Sequence, residues 1–124
     1  MKLTAERFAQ IIGALRSDAK CGRDSERRRN PRVGLRAQVM IAIRDREGAV
    51  NRVQTWTRDV SVSGIGLMMS KPVAMGTYFL AHLEGRDGST DVLYQVVRCY
   101  PGPSKDIFHV GARFERYVTS RPKN

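Results

Sequence analysis

Cysteine is scarce in this chain of 124 residues, which contains only two. Cys21 and Cys99 do not form the spacing of a metal site. His82 and His109 have no Cys, Asp or His at ligand spacing either. Residues 1–6 lack the continuous apolar segment of a secretory signal. We therefore expect a reduced, cytoplasmic protein that holds no metal and no cofactor.

Long hydrophobic runs are also absent. Hydrophobic residues make up 41% of the chain, but no run is long enough to cross a membrane. A chain of 124 residues has the size of one domain with a single modest core. We therefore expect one domain without a membrane span.

The sequence contains no recognisable catalytic group of residues. There is no Ser/His/Asp or Cys/His arrangement, no glycine-rich phosphate loop before a helix, and no carboxylate pair with a clear general acid. We therefore predict that the protein is not an enzyme.

Acidic residues are outnumbered by basic ones. The 22 Lys and Arg residues against 12 Asp and Glu residues give a formal net charge of +10. Such an excess predicts attraction to phosphate-bearing partners of any size. Charge alone does not distinguish a dinucleotide from a nucleic acid.

Apolar residues near the start of the chain repeat at helical spacing. Phe8, Ile11, Ile12 and Leu15 form one stripe, and Thr4 can cap the helix that carries it. We predict an amphipathic helix within residues 1–19. A helix this short must pack on something, either the rest of this domain or a partner protein.

The rest of the chain indicates a linker followed by strands. Residues 20–34 are polar and basic, and from Leu35 the apolar period changes to two. Six strand candidates begin at Leu35, Val50, Ile65, Tyr78, Val92 and Phe108, with turn signals between them. The pattern predicts a mainly β domain over residues 35–118, an antiparallel barrel or sandwich, with a tail over 119–124.

Two short polar motifs predict a ligand site. In Arg28-Arg29-Asn30-Pro31-Arg32, the guanidiniums of Arg28 and Arg32 can bind phosphate oxygens bidentately or stack on a purine. In Asp59-Val60-Ser61-Val62-Ser63-Gly64, Asp59 can accept the N–H groups of a guanine edge. Ser61 adds a hydroxyl, and Gly64 permits close approach of backbone and ligand.

The order of these motifs resembles the PilZ family of bacterial cyclic di-GMP receptors. The family pattern is R-x-x-x-R followed by D/N-x-S-x-x-G, and His109 to Phe114 is similar to its closing strand. The resemblance implies a six-stranded antiparallel β-barrel with an arginine segment before the first strand. It also implies that Arg28 and Arg32 engage phosphates and guanine faces, while Asp59, Ser61 and Gly64 hold guanine edges.

Arg27 lies directly before the first motif and adds a guanidinium that could sandwich a base. Family members with arginine there tend to hold two intercalated nucleotides, which predicts two cyclic di-GMP molecules per protomer. We expect a receptor or adaptor whose arginine segment closes over the ligand and alters the surface offered to a downstream protein. The alternatives are a basic β-barrel that binds nucleic acid, which we do not favour, and a PilZ-like interaction scaffold without ligand.

Overall fold

The computed structural model describes residues 2–21, 32–44 and 47–119. One helix, α1 (Ala5–Cys21), precedes all the strands. The strands in chain order are β1 (Val33–Gly34), β2 (Gln38–Arg44), β3 (Val50–Val60), β4 (Gly64–Met69), β5 (Tyr78–Gly85), β6 (Gly88–Pro101) and β7 (Phe108–Thr119). No helix among the described residues is long and apolar enough to cross a membrane.

The strands form one closed antiparallel sheet. Pairing runs in the order β3, β2, β5, β6, β7, β4, and β4 pairs with β3 to close the barrel. The six long strands therefore make the barrel, as predicted. Closure removes the unpaired sheet edges that would otherwise invite association with another chain.

The short strand β1 is the beginning of β2 rather than a seventh wall of the barrel. Both pair with the same strand, β1 with Asp59 and Val60 and β2 with the residues before them. Between β1 and β2 the chain keeps contact with β3, since Leu35 N–H donates to Arg58 O at 3.2 Å and Thr57 N–H to Ala37 O at 2.8 Å. The last residues of the predicted linker, 33–34, are thus part of the sheet.

The core fills the barrel from alternate strand positions. Phe79 of β5 and Tyr94 of β6 stack with ring centroids 5.5 Å apart, and Phe114 of β7 meets Tyr94 edge-on. Burial raises the pKa of the Tyr94 phenol. The period-two pattern seen in the sequence therefore reports the inside and outside of the barrel wall.

Helix α1 packs on the barrel with the apolar stripe predicted from its sequence. Its four members are all buried: Phe8, Ile11, Ile12 and Leu15. Phe8 meets Tyr117 of β7 edge-on, with ring centroids 6.3 Å apart. The predicted cap also forms, because Thr4 Oγ1 accepts the N–H of Arg7 at 3.1 Å. The helix therefore docks on its own domain, which is one of the two possibilities that the sequence left open.

A polar contact fixes where the first turn of α1 sits. The carboxylate of Glu6 accepts the N–H of Arg86, in the turn between β5 and β6, at 2.5 Å. This hydrogen bond lowers the pKa of Glu6. The helix is thereby tied to one particular hairpin of the barrel.

The hydroxyl of Thr57 bridges the interruption between β1 and β2. It accepts the N–H of Ala37 at 2.9 Å and donates to the carbonyl of Leu35. The side chain is completely buried, so water cannot replace either bond. Thr57 therefore fixes the point at which the chain leaves β1, two residues after Arg32.

We predict that Thr57→Val destabilises the fold. Valine keeps the shape but leaves two backbone groups without their partner, and an unsatisfied buried group costs ~1–3 kcal/mol. Urea unfolding measures the loss. Thr55→Val is the matched control, because the Thr55 hydroxyl is equally buried but makes a single bond, to Val39 O at 2.9 Å. An equal loss in both variants would contradict the bridging role.

Candidate functional site

A groove of about 500 Å³ lies on the outer wall of the barrel, over β3, β4, β7 and β6. Its polar lining comes from the end of β3, the β3–β4 turn, the start of β4 and the facing parts of β6 and β7. The polar and glycine residues that line it are Arg32, Arg58, Asp59, Ser61, Ser63, Gly64, Gly66, Arg98, Tyr100, His109, Gly111 and Arg113. Its size is within the range of small-molecule sites, roughly 300–1,000 Å³.

The structure brings together the predicted site residues that it describes. Arg32, Asp59, Ser61 and Gly64 all line this groove. Arg27 and Arg28 lie outside the described residues, so their predicted roles stay predictions. Two motifs that are 27 residues apart in sequence, counted from Arg32 to Asp59, therefore meet at one surface.

A β-bulge in β3 turns two consecutive side chains toward the groove. Thr57 pairs with Leu67 of β4, but Asp59 pairs with the very next residue, Gly66. Thr57 points into the core and Arg58 points outward; without the extra residue, Asp59 would point inward again. The bulge instead leaves the Asp59 carboxylate over Gly66, where an added Cβ would lie 2.8 Å from Asp59 Oδ1.

A second bulge, in β6, likewise turns a side chain toward the groove. The register shifts between Val96 and Arg98, which places Arg98 directly opposite Gly111 of β7. The Arg98 side chain lies over that glycine, with Nε 2.8 Å from the position of a Cβ. Because Gly66 and Gly111 pair with each other, the floor between Asp59 and Arg98 is bare backbone.

Ser61 shapes the turn between β3 and β4. Its Oγ accepts the N–H groups of Gly64 at 3.1 Å and Ser63 at 3.3 Å. The Ser61 N–H donates to Gly64 O at 2.9 Å, which closes the turn. The hydroxyl is buried and serves the local backbone in this structure, and its own proton is directed to Gly64 O at 3.4 Å or to Ser63 Oγ at 3.2 Å.

Four guanidiniums and one carboxylate give the groove a positive potential. Arg32, Arg58 and Arg98 line the groove together with Asp59, while Arg113 is partly neutralised by Glu115 at 2.9 Å and bound to Gln95 at 2.6 Å. Such a set favours an anionic ligand that also offers N–H donors to Asp59.

One end of the groove is an aromatic pair held by an arginine. Tyr100 and His109 stack with ring centroids 5.2 Å apart. Nη1 of Arg58 donates to Tyr100 Oη at 2.8 Å and lies 3.3 Å from His109 Nδ1. The bond to Tyr100 raises the pKa of the Arg58 guanidinium. The pair offers a flat apolar wall beside the charged floor.

Sequence reasoning missed five of the lining side chains: Arg58, Arg98, Tyr100, His109 and Arg113. Arg58 adjoins the second motif and could have been added on that ground. The others lie on β6 and β7, and their common face depends on the β6 bulge and on the pairing of Gly66 with Gly111. Neither feature leaves a local signal in the sequence.

Comparison with known proteins gives a family match and several structures of similar fold. The family model for the PilZ domain matches residues 26–123. No curated protein sequence matches the chain. The chain resembles the K. pneumonia MrkH–c-di-GMP complex at 20% identity and a TM-score of 0.53, over 72% of this chain and 44% of that one.

Two further solved structures resemble the chain. The Bacillus subtilis inhibitor of motility, MotI/DgrA, matches at 14% identity and a TM-score of 0.52, over 73% of this chain and 44% of that one. The PilZ domain of YcgR from Escherichia coli, with c-di-GMP, matches at 17% identity and 0.49, over 71% and 77%. The likeness to MrkH and MotI is one of fold, and this chain spans less than half of their length.

We predict that Gly64→Ala distorts the turn at the head of β4. An added Cβ would overlap the carbonyl oxygen of Ala112, which is backbone and cannot move aside. Overpacking of this kind costs about 1–3 kcal/mol, measured as lost stability in thermal unfolding. Gly34→Ala is the matched control, because nothing lies within 4 Å of its Cβ position. Equal melting temperatures for the two variants would contradict the steric overlap at Gly64.

Proposed function

Because the chain belongs to the PilZ domain family, we propose that its groove binds cyclic di-GMP and that the protein is a non-catalytic receptor for this ligand. The observation that carries the proposal is that Asp59 and Arg98 lie over Gly66 and Gly111, two paired glycines that add no side chain to the floor. In the proposal these two flexible side chains move aside, so that a flat purine on the floor has hydrogen-bonding groups of both kinds at its edges.

The chemistry of the ligand matches the groove group by group. The ring and exocyclic N–H groups of guanine suit the acceptor-only carboxylate of Asp59. The two adjacent acceptors on the opposite edge of guanine suit an arginine fork, which Arg98 can present. The phosphates suit Arg32, at the entrance to β1, with Arg27 and Arg28 as further partners in the proposal.

We further propose how binding is signalled. Residues 20–34 carry the arginines and connect α1 to β1, so their closure over the phosphates would act on both elements. Neutralisation of the mutual repulsion of the arginines supplies the driving force. The altered surface is then read by a downstream protein, and a second intercalated ligand molecule gives a stoichiometry of two per protomer.

The first test is calorimetric titration with cyclic di-GMP, with GMP as the control ligand. We expect saturable binding that is weakened about tenfold or more by Arg32→Ala, since a charge-assisted bond contributes roughly 1.5–3 kcal/mol. Arg116→Ala removes the same exposed charge outside the groove and should leave affinity within about twofold. Absence of heat with folded protein would favour the scaffold without ligand.

Asp59→Asn separates base reading from attraction by charge. The change keeps the shape but adds N–H donors and makes the groove one unit more positive. A site that reads guanine should lose about tenfold in affinity, whereas a site driven by charge alone should bind at least as well. The same titration measures the result, and equal or tighter binding would overturn the role given to Asp59.

Closure of the arginine segment predicts a change in hydrogen exchange. Saturating cyclic di-GMP should slow exchange in residues 20–34, because their amides become covered by ligand and barrel. The paired core residues Ile41 of β2 and Ala81 of β5, which do not line the groove, serve as an internal reference. Unchanged exchange over 20–34 at full occupancy would contradict closure while leaving binding itself intact.

A further inference from the structure

A second surface of the barrel has the composition of a nucleic-acid platform. It is the outer face of β2 and β3, next to the groove, and we call it the β2–β3 face. The six residues that define it are Gln38, Met40, Arg44, Arg52, Gln54 and Trp56. Five of these six side chains are exposed, and Gln38 is half-buried.

Trp56 is the centre of this face. It is the only tryptophan of the chain and is 42% exposed, although it lies in the middle of an eleven-residue strand. Its cross-strand partners are Gln38 of β2 and Met68 of β4. The described residues place no aromatic ring against it, so the indole is available for stacking.

The charge around Trp56 is of one sign. Arg58 lies two residues after Trp56 on β3, and Arg52 lies four residues before it. Arg44 is the last residue of β2. The only carboxylate carried by β2 or β3 is Asp59, which lies over Gly66 in the groove. A polyanion laid along β3 would therefore meet three guanidiniums, with Asp59 beside Arg58 as the single carboxylate of the two strands.

Acidic side chains bound the face on its β5 side. There His82 of β5 contacts the carboxylates of Glu84 and Asp91. From Arg58 to Arg52 the strand spans about 20 Å at ~3.3 Å per residue. That length suits a short single strand of a few nucleotides along β3, with the acidic boundary excluding phosphates from β5.

We propose that the β2–β3 face binds single-stranded nucleic acid, with one base stacked on Trp56. Gln38 and Gln54 supply amide donors and acceptors beside that base, and the arginines contact phosphates. A duplex would hide its base faces from the indole. A membrane would need a protruding tip, whereas Trp56 lies on the wall of a barrel.

The single tryptophan reports directly on its own site. Adding a 15-nucleotide oligothymidine or oligouridine should quench Trp56 fluorescence saturably, because stacking on a base is required for the signal. Binding through about three phosphate contacts predicts a logarithmic salt slope near −2. Inorganic polyphosphate is the control that has charge without bases, and it should compete without quenching.

Matched variants locate the contact. Arg52→Glu should weaken oligonucleotide binding about tenfold, while Arg116→Glu, the same charge reversal on β7, should change it by about threefold at most. The same preparations are titrated with cyclic di-GMP, whose binding should survive Arg52→Glu. This separates failure of the face from failure of the groove.

Four results would overturn the proposal. One is the absence of quenching at low salt by either oligonucleotide. Another is equal weakening by Arg52→Glu and Arg116→Glu, which would mean attraction by net charge. The third is loss of oligonucleotide binding in Arg32→Ala but not in Arg52→Glu, which would place the strand in the groove. Stronger quenching by anionic phosphatidylglycerol vesicles than by oligonucleotides would likewise replace this proposal with a membrane contact.

Discussion

The bulge between Thr57 and Asp59 is the constraint on which the groove depends. A regular strand would send Thr57 inward, Arg58 outward and Asp59 inward again. Burying a carboxylate inside a barrel of this size would be costly, because none of the described core residues is a cation that could compensate it. The extra residue instead brings Arg58 and Asp59 to the same surface while Val60 returns to the core.

The groove also depends on the position of β1, which pairs with β3 at this bulge. β1 pairs with Asp59 and Val60 only because the chain is interrupted between Gly34 and Gln38, and the Thr57 hydroxyl supports that interruption. This pairing places Arg32, directly before β1, in the lining of the same groove as Asp59. Three consecutive residues of β3 thus have different tasks, since Thr57 holds the entering chain, Arg58 orients the aromatic pair, and Asp59 faces the glycine floor.

Much of this architecture could be predicted from local sequence. The stripe of α1, its cap at Thr4 and the six strands with their turns all follow from apolar period and turn residues, and the structure contains them. The motif residues Arg32, Asp59, Ser61 and Gly64 were found because their order along the chain is distinctive. Whether they bind ligand as proposed is a question for titration rather than for pattern.

The remainder could not be predicted because it depends on long-range register. Arg98 and Tyr100 reach the groove only through the β6 bulge, and periodicity across Val96 to Tyr100 carries no mark of the shift. The pairing of Gly66 with Gly111 joins residues that are far apart in the chain. Trp56 is 42% exposed on the outer wall of β3, where its neighbours Gln38 and Met68 are likewise set by strand pairing.

Arg58 connects the two proposed surfaces. It lines the groove, where it contacts Tyr100 and His109, and it also ends the row that contains Trp56. A cyclic di-GMP phosphate and a nucleic-acid phosphate at one guanidinium would divide its N–H donors and repel each other. If both ligands use it, each must weaken the other by the same factor, because linkage between two binding sites is reciprocal. A barrel with two faces on one strand could in this way convert the concentration of a small nucleotide into the release of a larger one, without any change of fold.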